Sequence, residues 1–119
     1  MRFTNVYGPY QHPDTGGLIP VVLSKILNGD NVTIFGDGSQ TRDFVYIDDV
    51  VDFYLMIASK QTENGDIFNI GSGYQRTIKE VYFSISNIIK SNLKLKWNSM
   101  NNRSWDQTTW KADMSIVKK

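Results

Sequence analysis

Cysteine is absent from these 119 residues, and histidine occurs once, at His12. The first absence excludes a disulfide framework, a thiolate nucleophile and a cysteine-based zinc site, and the second leaves no histidine-rich metal centre to build. A dominant charge is lacking too: thirteen Lys and Arg stand against twelve Asp and Glu, a net of +1 with no basic stripe. Nothing in that balance draws the chain to nucleic acid or to an anionic membrane surface. Apolar runs stay far below the roughly 20 residues of a membrane-spanning helix, and no charged-then-apolar leader opens the sequence. A soluble, cytoplasmic protein is expected. Two chemical signatures are also missing. Gly36, Gly38, Gly71 and Gly73 never fall in Gly-x-Gly-x-x-Gly spacing, so there is no dinucleotide fingerprint. None of the six tyrosines is followed by a lysine four residues later. With no repeat, low-complexity stretch or linker, the length fits one domain.

What is present reads as alternating strands and helices, an α/β pattern. Met1 to Val6 reads as a strand ending in the turn Tyr7-Gly8-Pro9, and Leu18 to Leu27 as a helix with Pro20 in its first turn and Asn28-Gly29 as its stop. Val32 to Phe35 and Phe44 to Ile47 are short strands, followed by a helix from about Asp49 to Ser59 with Asp48 or Asp49 as N-cap. After an Asn64-Gly65 turn comes a strand from Asp66 to Ile70. Thr77 caps a helix running to about Ser91, with Glu80 completing a capping box and Val81, Ile85, Ile88 and Ile89 on its buried face. Leu93 to Trp97 alternates as a last strand, and Asn98 to Asn102 is a polar loop.

The run Gly36-Asp-Gly-Ser-Gln-Thr-Arg-Asp-Phe-Val-Tyr-Ile-Asp-Asp-Val50 packs the most chemistry into the fewest residues. Its glycines permit a tight turn. Arg42 follows with a fork of donors suited to a phosphate or carboxylate, and Asp43 is expected beside it to hold the guanidinium, making an anion-binding loop between strand and helix. Asp43, Asp48, Asp49 and Asp52 fall on different faces at helical spacing, which suits capping and ion pairs rather than a metal cluster.

That run does not stand alone. Together with Arg2-Phe-Thr-Asn-Val-Tyr-Gly-Pro9, Phe68-Asn-Ile-Gly71 and Arg103-Ser-Trp-Asp106 followed by Ala112-Asp113, it resembles, in order and spacing, the C-terminal part of the extended short-chain dehydrogenase/reductase family. Members of that family are NAD(P)-dependent nucleotide-sugar epimerases and dehydratases. The resemblance implies that the strands matching Met1 to Val6 and Asp66 to Ile70 complete a Rossmann-type dinucleotide-binding sheet, while the rest builds a smaller substrate-binding lobe. It implies that Arg42 binds the diphosphate of a nucleotide sugar, Asn5 contacts substrate, Thr33 and Phe35 flank the base, and Phe3 and Thr4 lie near the nicotinamide of NAD or NADP. Arg103 would be a second anion clamp and Asp106 an acceptor for ribose hydroxyls, although Ser104-Trp105 here replace the family's usual Pro-Gly. Asn5 is equally suited to an Asx turn, and Trp105 and Trp110 to the core as well as to stacking on a base or sugar.

In that family the fingerprint and the acid/base Tyr-x-x-x-Lys pair lie upstream, so no catalytic residue is expected in this chain. The reading is the substrate-binding portion, residues 1–119, of a longer enzyme that removes hydride from the sugar, epimerises or dehydrates it and returns the hydride. A stand-alone, non-enzymatic nucleotide-binding or interaction module is the alternative. The abrupt opening strand and the helix start at Ala112 to Lys119 suggest a truncated chain, whose exposed strands favour a homo-oligomer.

Overall fold

A computed structural model describes residues 1–34, 36–60, 65–92, 95–96 and 108–115. The opening strand is divided by a bend at Thr4: β1 (Arg2–Phe3) pairs in parallel with β5 (Asn69–Ile70), whereas β2 (Asn5–Tyr7) pairs in parallel with β4 (Thr41–Tyr46). The chain therefore changes sheet within six residues, and the single strand expected from Met1 to Val6 is corrected to two. β4 is the centre of the larger sheet. Its first half pairs antiparallel with β6 (Gln75–Thr77) and in parallel with β8 (Thr109–Trp110). A third pair joins β3 (Val32–Thr33) to β7 (Leu95–Lys96).

Three helices cover these strands. α1 (Leu18–Leu27) ends at Asn28, with Gly29 at φ +76 carrying the chain out of the helix. α2 (Ile47–Ser59) follows β4 without a loop; the extended Tyr46 is its N-cap and supplies no side-chain bond. Asp48 and Asp49 are thus not the cap that was expected. They lie in the first turn, where carboxylates complement the positive end of the helix dipole. α3 (Ile78–Ile89) opens on the expected capping box and closes on Lys90 in a left-handed conformation. Its buried stripe is shifted from the one expected. Tyr82 and Ser86 are buried, with Ile78, Ile85 and Ile89 packed against the core, while Ile88 is 81% exposed.

Two apolar cores result. One gathers Val22 and Ile26 of α1, Val32, Ile34 and Tyr82, and the other Val45, Val50 and Ile70 with Val6, Ile47, Phe53 and Phe68. Burial of each such side chain stabilises the fold by roughly 1.5–3 kcal/mol. The glycine turn before β4 also serves as a dock for α3. Ile78 N–H donates to Gln40 O at 3.0 Å and Lys79 N–H to Gly38 O at 3.1 Å, so two leading donors of α3 are met by the turn. Within the turn, Asp37 Oδ1 accepts from the Ser39 hydroxyl and from Ser39 N–H, and these bonds, the hydroxyl's first, hold the Asp37 carboxyl below its usual range.

Between the two cores lies a buried carboxylate. Asp43 is fully buried, and its Oδ1 accepts from Ser72 N–H at 2.8 Å and the Ser72 hydroxyl at 2.7 Å, while Oδ2 accepts from Gly73 N–H at 3.1 Å and Ala112 N–H at 3.2 Å. The loop after β5 and the segment after β8 are both tied to β4 through this one side chain. Gly71 must be glycine for the same reason: a Cβ there would stand 2.7 Å from Asp43 Oδ2 and 2.9 Å from both Ala112 Cβ and Thr4 Cγ2. Asp43→Ala strands three part-buried backbone donors, and at about 1 kcal/mol each the loss should reach about 3 kcal/mol. Urea denaturation of wild type and variant measures it, and an unshifted midpoint would show that water replaces the carboxylate.

At α3, Thr77 Oγ1 accepts from Glu80 N–H at 3.1 Å and Glu80 Oε2 accepts from Thr77 N–H at 2.7 Å. Thr77→Ala should cost about 1 kcal/mol. The Thr77 backbone donor first, then its hydroxyl, hold the Glu80 carboxyl below its usual range. A lowered carboxyl contributes stability above the ordinary carboxylate range and loses it as the pH falls through the folded value. The difference between wild type and Thr77→Ala in thermal melts should therefore shrink on acidification from pH 7 to pH 3. A constant difference would show that the bond between the Thr77 hydroxyl and the Glu80 carboxylate has no effect.

Candidate functional site

Strand register gathers the polar and aromatic side chains onto one face of the β2–β4–β6 sheet. Alternate residues of a strand point to opposite faces, and paired residues of neighbouring strands share a face. Asn5 is the partner of Phe44, Tyr7 of Tyr46, and Arg42 of both Arg76 and Trp110. Asn5, Tyr7, Arg42, Phe44, Tyr46, Arg76 and Trp110 thus line one face, while Val6, Asp43, Val45 and Gln75 take the other. Tyr7 knits the first set together, edge-on to Phe44 at 6.5 Å and tilted on Tyr46 at 5.4 Å between ring centres.

This alternation overturns one expectation. Asp43 does not hold the Arg42 guanidinium, because adjacent strand residues diverge and both carboxylate oxygens are bonded on the buried side. Arg42 is steadied instead by donating from Nη1 to its neighbour's carbonyl, Thr41 O, at 2.8 Å. It also lies inside β4, not in an anion-binding loop.

Asn5 makes no Asx turn. Its Nδ2 donates to Asp43 O at 3.1 Å across the β2–β4 pair, which fixes the amide on the site face. It borders a pocket of about 270 Å³ together with Tyr7, Phe44, Gly17 and Leu18. Gly17 is the N-cap of α1 and offers no side-chain cap, so the start of that helix opens on the same pocket. Thr33 is exposed on β3, between buried Val32 and Ile34, and belongs to a different strand pair from Asn5 and Arg42. Phe35, Arg103, Trp105 and Asp106 lie outside the described residues. Phe3 is 38% exposed, its ring 5.9 Å from that of Tyr54. The Thr4 hydroxyl is buried at the sheet change and has no partner among the described residues.

Sequence reading missed Arg76 and the placement of Trp110. Trp110 is 49% exposed beside Arg42, not a core residue. Both stand on strands of two or three residues, too short to show alternation; the cue for Arg76 was its position just before a helix cap and just after a Gly-Ser-Gly turn. A second, wider groove of about 860 Å³ runs between the sheet and α3, bordered by Tyr7, Phe44, Tyr74, Arg76 and Phe83. It shares Tyr7, Ile19 and Phe44 with the Asn5 pocket, so the two are neighbours.

Comparison with known proteins agrees with this geometry. Residues 1–71 match the family model of the NAD dependent epimerase/dehydratase family. A UDP-glucose 4-epimerase of Mycolicibacterium smegmatis is 38% identical over 86 residues, 71% of this chain and 27% of that protein. Among solved structures, a UDP-glucose 4-epimerase of Thermotoga maritima with UDP-glucose is similar over 98% of this chain and 37% of its own, at 33% identity and a TM-score of 0.88. A UDP-glucuronic acid 4-epimerase of Bacillus cereus, in complex with UDP-glucuronic acid and NAD, is similar over 98% of this chain and 36% of its own, at 29% identity and a TM-score of 0.86. The chain spans well under half the length of each of these relatives.

Proposed function

The chain belongs to the NAD dependent epimerase/dehydratase family, and from that premise we propose that it is the substrate-holding portion of an NAD(P)-dependent nucleotide-sugar epimerase or dehydratase. The observation that carries the reading is the convergence of Asn5 and Arg42 on one sheet face, next to a pocket that opens on the start of α1. Arg42 clamps the diphosphate with its fork of donors, and Asn5 holds a sugar or phosphate oxygen. Thr33 and Phe35 flank the base, Arg103 adds a second clamp, and Asp106 accepts from the ribose hydroxyls. Phe3 and Thr4 border the nicotinamide, and the cofactor, when bound, supplies reversible hydride transfer. This chain's residues orient the sugar against that group and keep the diphosphate fixed while the sugar ring is worked on.

The remainder of such an enzyme would also account for a bare apolar surface. Val51, Tyr54, Leu55 and Met56 of α2 are 41–65% exposed although Val50 on the same helix is buried. A helix apolar on more than one face is normally enclosed by further structure. The dinucleotide-binding portion of the enzyme is the occupant proposed for that face.

In the complete enzyme, Arg42→Ala should raise the KM for the nucleotide sugar about tenfold or more, the worth of a charge-assisted contact. Arg42→Lys should recover only part of this, since a point charge cannot replace the fork. Steady-state kinetics decide the matter, and an unchanged KM in the alanine variant would make the arginine structural. The 119-residue chain by itself, given NAD and UDP-glucose, should show no turnover, because it carries neither the dinucleotide fingerprint nor the Tyr-x-x-x-Lys pair. Conversion of UDP-glucose by the purified chain would refute that.

A further inference from the structure

We infer that Arg76 is a further arginine of the anion site, set beside Arg42 by strand register, and that this pair distinguishes a nucleoside diphosphate from a monophosphate. The inference rests on the nucleotide-sugar reading above and extends it to a residue that no sequence motif marks.

Arg42 and Arg76 are direct partners across the antiparallel β4–β6 pair. Side chains so placed share a face, with Cβ atoms about 4.5–5.5 Å apart, and like charges directly opposite each other destabilise a sheet. A dianionic ligand seated over both guanidiniums turns that repulsion into attraction, each fork taking its own phosphoryl group. Arg76 is available for this. It is exposed, and among the described residues its guanidinium makes no hydrogen bond or ion pair. The hydrogen bonds of Glu80 go to the Thr77 amide and hydroxyl, which lower its carboxyl first, and the Arg76 charge helps to lower it. Arg76 also borders the wide groove whose walls include Tyr7 and Phe44, the two residues that form the floor of the Asn5 pocket as well. Strand register thus sets Asn5, Arg42 and Arg76 on one sheet face, along which an elongated anion can meet both arginines. Trp110 is the partner of Arg42 on its other side in the same row.

Calorimetric titration of the complete protein that carries this chain tests the inference, with UDP and dTDP as probes, the corresponding monophosphates, and the bare nucleosides. Wild type should bind the diphosphates more tightly than the monophosphates. Arg76→Ala and Arg76→Gln should weaken diphosphate binding about 10- to 100-fold while changing monophosphate binding no more than about twofold, so that the preference for the second phosphate collapses. Arg76→Lys should restore part of it. Equal weakening of both ligand types would assign Arg76 a structural role and overturn the inference, as would unchanged diphosphate affinity in a protein whose Arg42→Ala variant has lost it. A wild-type protein that binds none of the diphosphates would overturn the nucleotide-sugar reading itself, and the inference with it.

Discussion

Asp43 accepts hydrogen bonds from Ser72, Gly73 and Ala112 while sitting on the central strand, and the arrangement of the rest follows from that cluster. A buried carboxylate is tolerable in a protein interior only when its lone pairs are satisfied by fixed donors or charges. Here three of those donors are backbone amides, so the requirement fixes the path of two loops. One loop turns at Gly73, in a positive-φ conformation, and leads into β6; the other leaves β8. Both strands are short, and both are positioned against β4 by bonds made on the side opposite the site. The buried carboxylate thus orders the solvent-facing row of Arg76, Arg42 and Trp110 without touching a ligand.

A second constraint is the sheet change at Thr4. Continuing β1 straight on would have left Asn5 and Tyr7 beside β5, away from Arg42. The bend delivers them to β4 instead, where Asn5 bonds to the backbone of Asp43 and Tyr7 packs on Phe44 and Tyr46. The one segment therefore serves two strand pairs. Phe3 meets Tyr54 on the first pair, and Asn5 the backbone of Asp43 on the second.

Much of this was legible beforehand because it is local. The bounds of α1 follow from apolar spacing, a proline tolerated in the first turn and an Asn-Gly stop; the α3 cap follows from Thr77 and Glu80. The four short motifs, taken together, pointed to the family. What escaped was what depends on partners distant in sequence. β6 and β8 exist because residues 41–43 of β4 pair with them, and two or three residues show no period. Asp43 was read as the keeper of Arg42 because they are adjacent in sequence, whereas strand alternation separates them by a sheet's thickness. Ile88 was placed in the core by counting apolar residues; the stripe that packs runs through Ile78, Tyr82, Ile85 and Ile89, and leaves Ile88 in solvent. Of the candidate site, Asn5 and Arg42 are brought to one face, Thr33 stands on another strand pair, and Phe35, Arg103 and Asp106 fall outside the described residues.

The division of labour within β4 bears on how such a site can vary. Two of its odd-numbered positions, Asp43 and Val45, are buried and committed to the fold, so a change there is paid in stability. Its even-numbered positions, Arg42, Phe44 and Tyr46, are only partly buried and share the opposite face, where Phe44 lines both neighbouring pockets. Their partners on β6 and β8 are exposed still more, as Arg76 and Trp110 show. A strand built in this way separates the residues that hold the sheet from those that meet a ligand. The proposed specificity for the second phosphate would therefore reside in side chains that can be exchanged without disturbing the buried carboxylate or its three backbone donors.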